Sequence, residues 1–272
     1  MSYKLLAADM DGTALNSKKE LTPEVIEAIN KATAQGKIVL FSTGRSKSMV
    51  QPYINQVQGM RYAVTGSGAS VIDLEAGEKI LYSTMDPETV KYIIASANGR
   101  YVMPVLFRYD KSYGSEWCVD HCDEFGFSYY ETMYRECMTI VDDAMNDYME
   151  HPEEVEKFNL FFANDYEADE VYEQIKNLPI NFTSRTKTSL EINAVGVNKA
   201  NGLKALCKKL GIDMNECIAV GDAENDEEML KAAGLKVAMG NATERVKSIA
   251  DVVAPDCENS GVAWVINQYL LD

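Results

Sequence analysis

The stretch AADMDGTALN, residues 7–16, sets two aspartates, Asp9 and Asp11, one residue apart at the end of an apolar run. Leu5-Leu6-Ala7-Ala8 reads as a buried strand, and the Asp-Gly that follows reads as the turn that ends it. Two carboxylates brought out of a core at one point repel each other. Either they sit in a solvated turn, or they share a counter-charge such as a metal ion.

The same design recurs along the chain. Thr22-Pro23 opens a helix with Val25, Ile29 and Ala32 on its apolar stripe, and Gly36 closes it. Lys37 to Phe41 is a second apolar strand, Ser46 to Gln58 a helix, and Tyr62 to Thr65 a third strand. Val71–Leu74 and Lys79–Tyr82 then read as a hairpin. In the last third, helices over 200–210, 226–233 and 243–249 alternate with strands over 217–220, 236–239 and 251–254, and a helix over 261–271 ends the chain. Alternating β and α elements predict an α/β fold, a Rossmann-like parallel sheet with helices on both faces.

Each of these strands ends in a small polar cluster: Asp9 and Asp11; Ser42-Thr43-Gly44-Arg45; Thr65-Gly66-Ser67-Gly68; and Gly221-Asp222-Ala223-Glu224-Asn225-Asp226. In an open parallel sheet the carboxyl ends of the strands share one edge, where ligands bind. Asp9, Asp11 and Asp222 would meet there as hard oxygen donors suited to Mg²⁺. Thr43 offers a hydroxyl at a helix start, and Lys199 a positive charge to offset the acids. Plainer readings stand beside these: Thr43 as a helix cap, Lys199 as a surface lysine, Arg45 as a solvated side chain. A calcium loop counted from Asp9 fails, because its sixth position is Ala14, where that loop needs glycine, and a strand precedes it instead of a helix.

The middle of the chain, from about residue 86 to 189, is richer in aromatics and acids and less regular. Helices over 87–97 and 166–178 and strands over 102–108, 158–163, 181–184 and 190–193 predict an inserted α+β domain. The expected organisation is therefore a discontinuous core of 1–85 and 190–272 around an insert of 86–189.

With 272 residues and 46% hydrophobic composition the chain can bury a sizeable core. Its net charge of −16 argues against binding a nucleic-acid backbone or an anionic membrane, though not against a small phosphorylated molecule. No signal peptide or membrane span is visible, so a cytoplasmic protein is expected. The six cysteines need no disulfide framework. The cluster Cys118-Val-Asp-His121-Cys122 lacks the second pair of ligands that a zinc site uses. Composition does not decide between a monomer and a homodimer.

Taken together, Asp9-Met-Asp11-Gly12-Thr13, Thr43-Gly44-Arg45, Lys199 and Gly221–Asp226 resemble the four motifs of the haloacid dehalogenase (HAD) superfamily, in order and wide spacing. The position of the insert, Val237–Ala242 and the ending near Gly261-Val262-Ala263 are similar to its Cof-type, class IIB phosphatases. Two positions depart from that pattern: Ser67-Gly68 stands where Asn-Gly is common, and Ala14 where Leu is usual.

The resemblance implies a Mg²⁺-dependent phosphatase of small phosphorylated metabolites, sugar phosphates above all, that works through an aspartyl-phosphate. It implies Asp9 as nucleophile and Asp11 as acid and base. It further implies a metal held by Asp9, the Asp11 carbonyl, Asp222 and Asp226, with Asn225 close by as a substrate contact. Thr43 and Lys199 would hold the phosphoryl group, with Gly44 and Arg45 beside it on the substrate side. The insert would act as a cap that chooses the substrate, with Arg108, Tyr109, Tyr113, Tyr129, Tyr130 and Arg185 as candidate contacts. A sugar phosphomutase and a non-catalytic phospho-aspartate switch are the alternatives, and the large insert and Asp11 speak against the switch.

Overall fold

The structure, a computed structural model, describes residues 2–271; the side chain of Tyr129 lies outside the described residues. The chain forms two units. One takes the chain up to Gly44, Gln51–Tyr82 and everything from Asn198 on, and the other takes Arg45–Val50 and Ser83–Val197. In chain order the first unit opens with β1 (Leu5–Ala8), β2 (Ile38–Ser42), β3 (Tyr62–Thr65), β4 (Ser70–Asp73) and β5 (Glu78–Tyr82). The second holds β6 (Val102–Arg108), β7 (Lys111–Ser115), β8 (Met138–Val141), β9 (Lys157–Phe162), β10 (Ile180–Arg185) and β11 (Ser189–Ala194). The first closes with β12 (Cys217–Gly221), β13 (Leu235–Ala238) and β14 (Val252–Val253).

The first unit's sheet runs β14-β13-β12-β1-β2-β3-β4-β5. Its strands from β14 to β3 are parallel, and β4 and β5 add an antiparallel edge. This is the Rossmann-like α/β core that the alternating pattern predicts. The four strands β1, β12, β2 and β3 are buried and largely apolar, with Ser42 and Thr65 as their polar ends, because helices cover the faces of a parallel sheet. Thr22 caps the first helix, Pro23–Ala34, by accepting from the Val25 amide at 3.4 Å. Gly211 ends the helix Lys199–Leu210 in the left-handed conformation at φ 67°. The closing helix departs from expectation: after one α-turn, Gly261–Val265, it widens into a π-turn over Ile266–Leu270.

The second unit is an antiparallel-rich sheet ordered β10-β11-β9-β6-β7-β8. Along β9 the side chains alternate between two cores. Phe158, Leu160 and Phe162 pack with Val90, Ile94 and Val171, while Phe161 packs with Met103, Phe107 and Tyr134. The unit extends past 86–189 at both ends. β11 continues to Ala194 because it pairs with both β9 and β10, and Met49 joins the second of the two cores. Its stretch from 109 to 157, left without elements by the sequence pattern, holds β7, β8 and the short helices Glu116–Asp120, Glu131–Cys137 and Ala144–Glu150. No helix among the described residues is long and apolar enough to cross a membrane.

Candidate active site

The parallel strands β1 and β12 are in register from Leu5 with Cys217 to Ala8 with Val220, so they end side by side. Asp9 continues β1 for one more step, its amide donating to the Val220 carbonyl at 3.0 Å. The chain then turns sharply, with the Thr13 amide on the Met10 carbonyl at 3.2 Å and the Leu15 amide on the same carbonyl at 2.8 Å. Gly12 sits at φ +81°, and a Cβ there would lie 2.5 Å from Asp222 Oδ2, so only glycine lets the two loops approach. Thr13 Oγ1 donates to Asp222 Oδ1 at 2.9 Å, and Asn241 Nδ2 donates to the Gly12 carbonyl at 2.8 Å.

Asp226 lies under β12 in the same way. A Cβ on Gly221 would come within 2.5 Å of the Asp226 side chain. Asp226 Oδ2 accepts from the amides of Asp222 and Ala223 at 3.0 and 3.2 Å, which ties the acidic loop into one turn. Its other oxygen, Oδ1, accepts from Lys199 Nζ at 2.7 Å. Both oxygens of this fully buried acid are therefore engaged by the protein itself.

Lys199 starts its helix after the Asn198 cap and is fully buried. The turn Gly66–Gly68 makes room for it. A Cβ on Gly68 would fall 2.1 Å from the Asn198 carbonyl, and one on Gly202 would meet Val64 at 2.8 Å. That close packing aims Lys199 Nζ at Asp9 Oδ1, 2.5 Å away, as well as at Asp226. Asp9, Asp222 and Asp226 each bring a carboxylate oxygen within 4.8 Å of the others. Burial pushes the Asp9 carboxyl up to about 8; Lys199 opposes this, and the Asp226 and Asp222 charges add to it. Burial and Asp226 push Asp222 up to about 6. Burial also works against the Lys199 ammonium, but Asp226 and Asp9 outweigh it and raise its pKa.

Three carboxylates thus face one ammonium, which leaves the group two charges short of neutral when all are ionised. A divalent cation would supply those charges, and oxygen donors of this kind suit Mg²⁺. Asp9 and Asp222 each keep a second carboxylate oxygen outside the hydrogen bonds described. The buried Oδ1 of Asn225 has no hydrogen-bond partner, a further acceptor at the same loop. The residues fit the ion.

The remaining residues fall in different places. Thr43 is buried at the end of β2, its amide on the Val64 carbonyl and its own carbonyl on the Ser67 amide, both at 2.9 Å, and Gly44 follows it. Arg45 groups with the second unit, where its guanidinium lies 3.1 Å from the Met133 sulfur and 5.8 Å from the Tyr130 ring centre. Asp11 is half-buried and takes Lys19 Nζ at 2.9 Å. Thr13, Asn241 and Lys19 touch this machinery, and no role was assigned to them from the sequence; Thr13 lies inside the Asp-Gly-Thr run and Asn241 inside the Val237–Ala242 stretch, whereas Lys19 carried no local signal.

Among the candidate contacts of the second unit, Arg108 is fully buried, bonded to Asp147 at 2.5 Å and stacked 3.6 Å over the Tyr113 ring. Arg185 pairs with Asp169 at 2.7 Å and lies over Tyr172. Tyr109 is exposed, at φ 50°. Tyr130 stacks on Tyr134. Cys118 and Cys122 are buried in a core, and His121 stacks on Trp117.

A family model for haloacid dehalogenase-like hydrolases matches residues 6–266. The chain belongs to this family. Among its relatives, the 5-amino-6-(5-phospho-D-ribitylamino)uracil phosphatase YcsE of Bacillus subtilis is 29% identical over all of this chain and 97% of its own. A haloacid dehalogenase-like hydrolase from Bacteroides thetaiotaomicron superposes with a TM-score of 0.85 at 25% identity, over 98% of this chain and 99% of the other. A structure described as a HAD subclass IIB sugar phosphatase has the same fold, with a TM-score of 0.81 at 23% identity and 98% of each chain covered. The resemblance read from the four motifs is thus borne out, and this haloacid dehalogenase-like hydrolase is an enzyme of the phosphatase kind.

Proposed function

We propose that the protein is a Mg²⁺-dependent phosphatase of small phosphorylated metabolites, sugar and polyol phosphates foremost, with Asp9 as its nucleophile. One observation carries the reading: the two acids of the opening stretch stand in different environments. Asp9 is buried on Lys199, and Asp11 is half-exposed on Lys19. Acids so separated by environment suit different roles.

An Asp9 oxygen attacks phosphorus as the bond from phosphorus to the ester oxygen breaks, and Asp11 gives its proton to that leaving oxygen. Water then attacks the aspartyl-phosphate. Asp11 takes back a proton from it, and the bond from Asp9 to phosphorus breaks to release inorganic phosphate. Lys199 holds Asp9 in place and offsets phosphoryl charge, and Thr43 with the Gly44 amide offers donors to the phosphoryl oxygens. Asp226, with both oxygens used, acts by fixing Lys199 and the loop that carries Asp222 and Asn225. Mg²⁺ held by Asp9, the Asp11 main-chain carbonyl and Asp222 would supply charge stabilisation for the phosphoryl oxygens.

This substrate class is supported by the name of a relative, a 5-amino-6-(5-phospho-D-ribitylamino)uracil phosphatase, and is consistent with the fold shared with a structure described as a sugar phosphatase. Hydrolysis of a panel of phosphorylated sugars and polyols with Mg²⁺ tests the reading, with Asp9→Asn as control. The expected result is phosphate release by the wild type and none by the variant. An isomerised sugar phosphate without phosphate release, or full activity in Asp9→Asn, overturns it.

A further inference from the structure

We propose that Lys19 is a positioning residue for proton transfer by Asp11, holding one carboxylate oxygen so that the group keeps a fixed orientation toward the leaving oxygen. The proposal rests on the reading of Asp11 as the acid of the phosphatase reaction.

Lys19 lies eight residues beyond Asp11, and its Nζ donates to Asp11 Oδ1 at 2.9 Å. The two side chains are about one-quarter and one-third exposed, at 26% and 32%. A pair that wet adds little stability by itself. Its backbone setting is less ordinary. Lys19 occupies the left-handed region at φ 62°, which disfavours any residue with a Cβ and suits glycine or asparagine. Asn16 fastens the turn around it: Asn16 Oδ1 accepts from the amides of Lys18 and Glu20, both at 3.0 Å, and the Asn16 carbonyl accepts from the Lys19 amide at 2.9 Å. The Lys19 carbonyl in turn accepts from the Tyr53 hydroxyl at 3.0 Å. Buried Leu15 and Leu21, bridged to each other, root the loop, and Leu15 is also bridged to Asp11.

The turn itself would therefore be better served by glycine or asparagine. What lysine brings is its side chain, reaching back to Asp11 from an anchored backbone. With Oδ1 held, rotation of the carboxylate about its last bond is restricted, and loss of orientation in a proton-transfer group lowers its rate contribution.

The test compares kcat/KM, which reports the steps through departure of the leaving group, for two probes in the presence of Mg²⁺. Glycerol phosphate has an alkoxide leaving group that needs a proton; p-nitrophenyl phosphate has one that does not. In Lys19→Met and Lys19→Asn the alkyl-to-aryl ratio of kcat/KM is expected to fall about tenfold, a fraction of the 10²–10⁴ that general acid catalysis contributes. Lys19→Arg is expected to restore it to within about threefold, since it returns a donor of similar reach. Lys19→Asn keeps the left-handed turn, so a fall there separates the lost ammonium from a disturbed loop. A ratio unchanged in both variants, or an equal loss on both probes, overturns the role of Lys19. Asp11→Asn is run alongside. If it shifts the ratio and the Lys19 variants do not, the proposal alone fails; if it does not shift the ratio, the reading of Asp11 fails and the proposal with it.

Discussion

Lys199 Nζ lies 2.5 Å from Asp9 Oδ1, and both side chains are buried at the joined ends of β1 and β12. The same ammonium binds Asp226 at 2.7 Å. Removing it leaves two buried acids without a cation. Lys199→Met is therefore expected to lower stability by about 3 kcal/mol, the scale of breaking a buried pair from one side. It is also expected to lower kcat by about 10² or more, as the loss of an electrostatic donor does. Urea denaturation and steady-state kinetics check both, and a variant of unchanged stability would refute the pairing.

The same acids make Mg²⁺ binding depend on pH. Burial pushes the folded Asp9 carboxyl up to about 8 and that of Asp222 up to about 6, both above the ordinary 3.8. Between the ordinary value and these raised ones the folded protein holds protons that the unfolded chain has lost. Without metal, these groups therefore make stability fall as pH rises from about 4 toward 8. A bound cation must displace those protons, so its affinity grows across the same window. Thermal melting with and without Mg²⁺ at pH 5, 6, 7 and 8 is expected to show the largest metal-induced rise at pH 8. An equal rise at pH 5 and pH 8 would contradict this.

Ser67 occupies the left-handed region at φ 60°, ψ 25°, between Gly66 and Gly68, and Gly68 packs against the start of the Lys199 helix. Asparagine tolerates that conformation better than serine. Ser67→Asn is expected to be neutral or to stabilise by up to about 1 kcal/mol. Gly68→Ala, whose Cβ would fall on the Asn198 carbonyl, is expected to cost about 3 kcal/mol and to reduce activity by displacing Lys199. Chemical denaturation of both variants checks the contrast, and equal effects would count against it.

In the second unit, the sequence pointed to Arg108 as a substrate contact. Buried against Tyr113 and bonded to Asp147, it has the surroundings of a structural side chain. Arg108→Ala is expected to destabilise the protein by about 3 kcal/mol, from the lost pair and the lost packing. Melting curves decide: a variant as stable as wild type with an altered substrate preference would return Arg108 to the substrate.

The core was legible because its strands are short apolar runs closed by Asp, Gly, Ser and Thr, and because Thr22, Pro23 and Gly211 mark helix ends. Residues 109–157 were not. The helices Glu116–Asp120 and Glu131–Cys137 are too short to show a period, and neither has a side-chain cap. β8 is four residues long and pairs in parallel with β7, a contact that no local pattern announces. At the site, residue type identified Asp226 as an acid, but its use of both oxygens on Lys199 and two backbone amides depends on the fold. Lys19 was invisible for the same reason. A lysine eight residues past an aspartate means nothing until a left-handed turn brings them together.

With Asp9 as nucleophile, its carboxylate becomes phosphorylated during turnover. Enzyme turning over a sugar phosphate with Mg²⁺ can be quenched, reduced with borohydride and digested, and the peptide containing residues 7–16 analysed by mass spectrometry. The expected result is reduction of the Asp9 side chain to an alcohol, dependent on substrate and absent in Asp9→Asn. Turnover that leaves Asp9 unmodified, or that places the modification on Asp11 or Asp222, would contradict it.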